Sequence, residues 1–113
     1  MPATRKFHRK KGQRVAFRKS LVSNLISKEK MTTTVARAKE IRPIIERYVT
    51  LAKKNELAQL RLLLSKLPKK EANKLFYEIA PRYMDRKGGY TRIIKTSLTR
   101  KRDAAELAVI EFV

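Results

Sequence analysis

Cationic side chains gather in two stretches of this chain, and their pattern sets the chemistry open to it. From Arg82 to Arg102, eight basic residues (Arg82, Arg86, Lys87, Arg92, Lys95, Arg100, Lys101 and Arg102) face one acid, Asp85. Gly88 and Gly89 lie inside that run, between Arg86-Lys87 and Tyr90-Thr91-Arg92. The backbone can therefore turn sharply, or approach another surface closely, where charge is densest. The second stretch is N-terminal. Arg5, Lys6, Arg9, Lys10, Lys11, Arg14, Arg18, Lys19 and Lys28 all precede the first acid, Glu29, and the single histidine, His8, sits among them. Mixed signs would serve solubility, whereas cations in succession without an acid mark a phosphate-binding segment whose affinity should fall steeply with salt.

Other chemistries lack their residues. Gly88-Gly89 has neither the strand-glycine-helix spacing of a dinucleotide loop nor the Gly-Lys-Thr end of a P-loop. Without cysteine there is no disulfide and no thiolate metal site, and His8 has no second histidine or cysteine with which to share a metal. That imidazole is left to donate to phosphate, to stack, or to stand by. The serines have no histidine partner within the domain. The acids fall mostly at helix positions suited to i,i+4 pairing, such as Glu46 with nearby Arg42 and Arg47. No catalytic, cofactor or metal site is expected and no small-molecule substrate, so the chain reads as a binder and not an enzyme.

A net charge of +19 repels itself in isolation and attracts anionic partners over long range. Hydrophobic residues at 42% are nevertheless too many for a wholly disordered basic tail, so a core forms. The 113 residues allow one compact domain with appendages. No apolar run reaches the roughly 18 to 20 residues of a membrane span, and no apolar segment follows the N-terminal basic residues as it would in a secretory signal. A soluble, unsecreted protein with no membrane partner is expected. The segment from Gln13 to Ser27 is basic and amphipathic, but Phe17 is its one aromatic anchor, which favours burial against the domain's own core over a membrane-surface role.

Positioning the cations takes a scaffold, and its elements are readable in order. Residues 1–12 show no apolar periodicity and are expected to be a basic arm that stays disordered until it meets a partner, with 13–113 as a single domain. Phe17, Leu21 and Leu25, with Val22 and Ile26, predict a helix from Gln13 to about Ser27. Lys30 to Thr34 reads as a short strand, with Thr34 as N-cap of a long helix. Along that helix Val35, Ala38, Ile41, Ile45, Val49 and Ala52 form the apolar row, and Ile44, Tyr48 and Leu51 widen it. Lys39, Glu40, Arg42, Glu46, Arg47 and Lys53 form the wet side, and Pro43 should kink or restart the helix near Arg42.

Asn55 is a candidate N-cap for a third helix carrying Leu57, Leu60, Leu63, Leu64 and Leu67 and stopped before Pro68. A fourth, from Lys69 to Ala80, presents Ala72, Leu75, Phe76 and Ile79 before Pro81. Tyr90 to Leu98 and Ala105 to Val113 read as strands around the basic loop Thr99 to Ala104, most simply an antiparallel hairpin joined by the Lys30 to Thr34 strand with helices on one face. Tyr90, at a strand start, favours half-buried packing over stacking on a splayed base. The predicted architecture is α+β: a two-layer domain in the order helix, strand, three helices, two strands, with a small mixed sheet covered by helices.

Several of these residues carry a family resemblance. Thr33-Thr34, Ala38-Lys39-Glu40-Ile41-Arg42, Thr50-Leu51-Ala52-Lys53, Lys74-Leu75-Phe76, Pro81-Arg82-Tyr83, Arg86 to Ile94 and the terminal Ala108-Val109-Ile110-Glu111-Phe112-Val113 resemble the bacterial large-subunit ribosomal protein L-seventeen family. The resemblance runs in order from Gln13 to Val113. It implies a structural and assembly component that binds large-subunit ribosomal RNA close to the polypeptide exit region, touches neighbouring ribosomal proteins, and works in the cytoplasm within the ribosome. Departures concentrate at the N-terminus. Lys6-Phe7-His8-Arg9-Lys10 matches the family's opening after a short extension. Gln13, Arg18 and Ser20 replace the usual histidine, apolar residue and asparagine.

The leading reading is thus a ribosomal protein that recognises folded RNA by its shape, through phosphate and ribose. The candidate contacts are Arg5, Lys6, His8, Arg9, Lys10, Lys11, Arg14, Arg18, Arg82, Arg86, Lys87, Gly88, Gly89, Tyr90, Arg92, Lys95, Arg100, Lys101 and Arg102. An architectural DNA-binding protein is one rival, although the Thr99 to Ala104 loop is polar where such proteins insert an apolar wedge. A transient RNA chaperone is the other.

Overall fold

A three-stranded sheet carries helices on one face, the α+β arrangement expected from the sequence. The computed structural model describes residues 11–99 and 104–113, with backbone alone at 11–14 and 97–98. In chain order these form α1 (Lys11–Lys28), β1 (Lys30–Thr34), α2 (Val35–Lys53), α3 (Leu57–Lys66) and α4 (Lys69–Lys74). A π turn (Leu75–Ile79) and a 3-10 turn (Ala80–Tyr83) extend α4, and β2 (Thr91–Thr99) and β3 (Glu106–Phe112) complete the chain.

The strand order is β1-β3-β2, and β3 is antiparallel to both neighbours. The sheet is therefore antiparallel throughout and not mixed. β2 and β3 form a hairpin, and β1 takes the edge of β3 that the hairpin leaves free. Alternation along β3 turns Ala108, Ile110 and Phe112 towards the helices, where all three are buried. Met31 and Ile93 lie opposite Ile110 on the same face, in β1 and β2 respectively.

The helix periodicities hold for α1 and α2. Val22, Leu25 and Ile26 are buried on α1, which starts at Lys11, so the border drawn after residue 12 falls inside a helix. On α2, Val35, Ala38, Ile41, Ile45, Val49 and Ala52 are all buried, and the Thr34 hydroxyl caps the helix by accepting from the Arg37 N–H at 3.2 Å. The helix runs unbroken through Pro43, which sits on its exposed side, where water can take up the carbonyl left unserved. Asn55 does not cap α3. It ends α2 in the left-handed conformation (φ 55), and Glu56 occupies the N-cap with no side-chain hydrogen bond.

Two expectations for the next helices change. On α3 the buried leucines include Leu60 and Leu63, with Leu67 just beyond, while Leu57 and Leu64 remain exposed because this short helix touches the core along one row only. The helix predicted over Lys69 to Ala80 widens to a π turn at Leu75, where the Ala80 N–H donates to the Leu75 carbonyl, and then tightens to Tyr83. Pro81 supplies the reason: it has no N–H, and its ring crowds the carbonyl four residues back. Leu75, Phe76 and Ile79 keep their place in the core.

Glu29 locks the corner between α1 and β1. At φ 63 its N–H donates to the Leu25 carbonyl (2.6 Å) and its carbonyl accepts from the Phe112 N–H (3.2 Å). Its carboxylate accepts a hydrogen bond from Arg82 and pairs with Lys74 at 3.4 Å. The Arg82 hydrogen bond outweighs the opposing effect of burial and holds the Glu29 carboxyl below its ordinary value of 4.5. A depressed carboxylate contributes stability above its unfolded pKa that is lost as pH falls through the folded value. Glu29→Gln should therefore lower the urea midpoint at about pH 7, with the gap to the parent closing as pH falls through the lowered folded pKa of Glu29. A gap that stays constant across that range would show that the clamp is not electrostatic.

Candidate nucleic-acid interface

The turn between Tyr83 and β2 is held from beneath by α2. Glu46 Oε1 accepts from the Tyr90 N–H (3.1 Å), and Oε2 accepts from the Thr91 N–H (2.9 Å) and the Thr91 hydroxyl (2.8 Å). Two turns along the helix, Lys53 Nζ donates to the Arg86 carbonyl and to the Tyr90 hydroxyl, the latter at 2.8 Å. Neither residue behaves as its helix position predicts, which is pairing with Arg42 and Arg47 for Glu46 and open water for Lys53. Instead they serve backbone groups that the turn and the start of β2 leave without a ladder partner.

The floor of the turn is aromatic. Tyr90 is 2% exposed, and its ring packs at 5.5 Å between centroids against Tyr83, which in turn stacks on Phe112 at 6.5 Å. The Tyr83 hydroxyl donates to the Val113 carbonyl (2.7 Å), and the Val113 N–H donates to the Tyr90 carbonyl (2.9 Å). Packing, the preferred reading of Tyr90, is what the structure has. Gly89 lies at φ 65 while Gly88 does not need positive φ, and a Cβ at either position would meet nothing closer than 4.0 Å. Conformation and not crowding is what asks for glycine at 89.

On this floor Arg86, Lys87, Gly88 and Gly89 are exposed, and Arg86 Nε donates to the Gly88 carbonyl at 3.2 Å. Lys95 is exposed further along β2. Three other predicted cations are shared with the domain's own carboxylates. Arg82 bonds Glu29, Arg92 Nε donates to Glu111 Oε1 at 2.8 Å, and Arg18 Nη1 reaches the buried Glu40 at 3.4 Å. Side-chain exposures of 46% for Arg82 and 58% for Arg92 leave both open to an outside phosphate, whereas Arg18 at 25% is mostly enclosed. Arg5, Lys6, His8, Arg9, Lys10, Arg100, Lys101 and Arg102 lie outside the described residues. Lys11 and Arg14 are described in backbone only, within the first turn of α1. Among the described residues no group of three His, Cys, Asp or Glu is placed to hold a metal ion.

Sequence reasoning misses the outer ridge of α2. Arg47, Leu51 and Lys54, spaced i, i+4 and i+7, line a hollow of about 450 Å³ between the helix and Gly88. A leucine in that row of cations is the available signal, since a solvated face has no use for it. Removing one acceptor beneath the turn should unseat it. Glu46→Gln puts an amide N–H₂ against a backbone or hydroxyl donor and should cost about 1–3 kcal/mol in urea denaturation. Faster amide hydrogen exchange at Tyr90 and Thr91 should accompany the loss. Unchanged exchange there would count against Glu46 as the anchor.

Known proteins share this pattern of residues. A family model described as Ribosomal protein L17 matches residues 17–113. The large ribosomal subunit protein bL17 of Hydrogenobaculum sp. is 52% identical over 108 residues, covering 95% of this chain and 92% of that protein. The proteins of the same name from Fusobacterium nucleatum and Persephonella marina are each 50% identical, covering 96% and 97% of this chain and 97% and 90% of their own lengths. With the match extending along nearly the whole chain, through the Gly-Gly turn and both strands of the hairpin, the chain belongs to the ribosomal protein L17 family.

Proposed function

We propose that the turn from Arg86 to Tyr90 is a preformed RNA-binding surface, through which this chain holds large-subunit ribosomal RNA. As a member of its family the chain is a structural constituent of the large ribosomal subunit and not an enzyme, acting in the cytoplasm within the ribosome, among ribosomal RNA and other proteins. The observation that carries the assignment is the anchorage of the turn by Glu46 and Lys53, which presents Arg86 and Lys87 on a rigid base. Backbone and side-chain order needed for binding is already in place, so little ordering entropy opposes the contact. Arg82, Arg92 and Lys95 extend the same cationic surface. Arg5, Lys6, His8, Arg9 and Lys10 of the arm, Lys11 and Arg14 at the start of α1, and Arg100, Lys101 and Arg102 supply further phosphate contacts. The family resemblance supports a position near the polypeptide exit region, beside neighbouring ribosomal proteins.

Charge reversal separates the turn from the remaining positive surface. Arg86→Glu combined with Lys87→Glu should weaken binding to large-subunit RNA by at least about tenfold and lower the salt slope by about 1–2. Lys69→Glu with Lys70→Glu, on exposed α4, is the control of equal charge. Lys53 is unsuitable for that purpose because it is part of the anchorage. Equal losses for the two pairs would refute the localisation.

A further inference from the structure

A second concavity lies on the other side of the α2 ridge, where α1, α2 and the end of α3 meet. It is a groove of about 530 Å³, within the roughly 300–1,000 Å³ typical of small-ligand sites. Its walls are apolar, with Val15 and Val22 from α1, Ile44, Tyr48 and Leu51 from α2, and Leu67 beyond α3. Its rim is cationic: Arg18 and Lys19 come from α1, Arg47 from α2 and Lys66 from α3, and among the described residues no acid lines it. Core packing accounts for only part of the apolar walls: Val22 and Leu67 belong to the core and Ile44 and Tyr48 pack against it, but both of the latter stay only half-buried and Val15 is 52% exposed. Ile44, Tyr48 and Leu51 are the residues that widen the apolar face of α2 beyond what its core row requires.

We propose that this groove receives an unstacked nucleotide of the ribosomal RNA, with the base against Tyr48 and the aliphatic walls and the flanking phosphates on Lys19, Arg47 and Lys66. Charge complementarity favours nucleic acid: Arg18 is engaged by Glu40, but Lys19, Arg47 and Lys66 remain for a chain that carries one negative charge per nucleotide, and among the described residues no acid lines the groove. A tyrosine face in an apolar slot is the means by which proteins hold splayed RNA bases. Continuity also favours RNA: Arg47 and Leu51 border both this groove and the hollow that leads to Gly88. One strand can therefore run from the groove, over the α2 ridge, to the turn. The inference rests on the RNA-binding reading of that turn and adds to it a nucleotide site on the helical layer.

Photocrosslinking in assembled large subunits tests both and tells them apart. A photoreactive phenylalanine analogue is placed at position 48 in one variant and at position 87 in another. The groove assignment expects position 48 to crosslink to ribosomal RNA, with a reverse-transcription stop at one or two nucleotides. Crosslinking to a protein, or to nothing, at position 48 while position 87 reaches RNA would overturn the groove and leave the turn standing. Failure at both would overturn both. In solution with isolated large-subunit RNA, Tyr48→Leu should weaken binding by about tenfold while Tyr48→Phe binds as the parent does. Thermal melts establish that each variant is folded. A folded Tyr48→Leu variant with unchanged affinity refutes base stacking.

Discussion

The Glu46 carboxylate is the contact on which the placement of the Arg86 to Tyr90 turn depends. It accepts three hydrogen bonds from Tyr90 and Thr91, residues more than 40 positions away in the chain, and so fixes where the turn ends and β2 begins. Lys53 secures the other end of the turn through the Arg86 carbonyl and the Tyr90 hydroxyl. The same helix thus packs its apolar row into the core and presents an acid and a base, two turns apart, to a loop that has no regular hydrogen bonding of its own. Beneath them Tyr83, Tyr90 and Phe112 fill the space that an unsupported turn would collapse into.

Scarcity of acid gives each carboxylate unusual weight. The chain has 10 acids against 29 bases, and four of those acids are committed to joining elements. Glu29 ties the α1–β1 corner to Arg82 and Lys74, Glu40 joins α2 to Arg18, Glu46 holds the turn, and Glu111 meets Arg92 across the hairpin. With these acids committed to internal junctions, the outer surface is left with an excess of cations. Such a surface repels itself without a polyanion, and a polyanion relieves it. Arg82 and Arg92 meet both needs, since each braces the domain through a carboxylate and keeps part of its guanidinium exposed.

Rigidity and charge meet along the outer ridge of α2. Arg47, Leu51 and Lys54 stand between the turn and the groove beside α1, and a helix packed into the core by six apolar residues offers them a fixed line. Preorganised cations at fixed spacing suit recognition of an RNA's shape more than its sequence, because phosphate contacts position a duplex or loop without reading base edges.

By itself the sequence determined the features that local periodicity and composition encode. The apolar rows of α1 and α2, the alternation of β3, the Thr34 cap, the glycine turn and the overwhelming positive charge each reside in neighbouring residues or in the simple balance of residue types. Tertiary structure alone decided which leucines of α3 meet the core, that β1 joins the hairpin antiparallel along β3, and that Glu46 and Lys53 leave their own helix face to hold a distant turn. It also decided that the widened apolar face of α2 lines a groove. The division has one physical cause. Helix and strand repeats specify which face a side chain occupies, whereas the identity of its partner depends on contacts closed over tens of residues, where no local pattern operates.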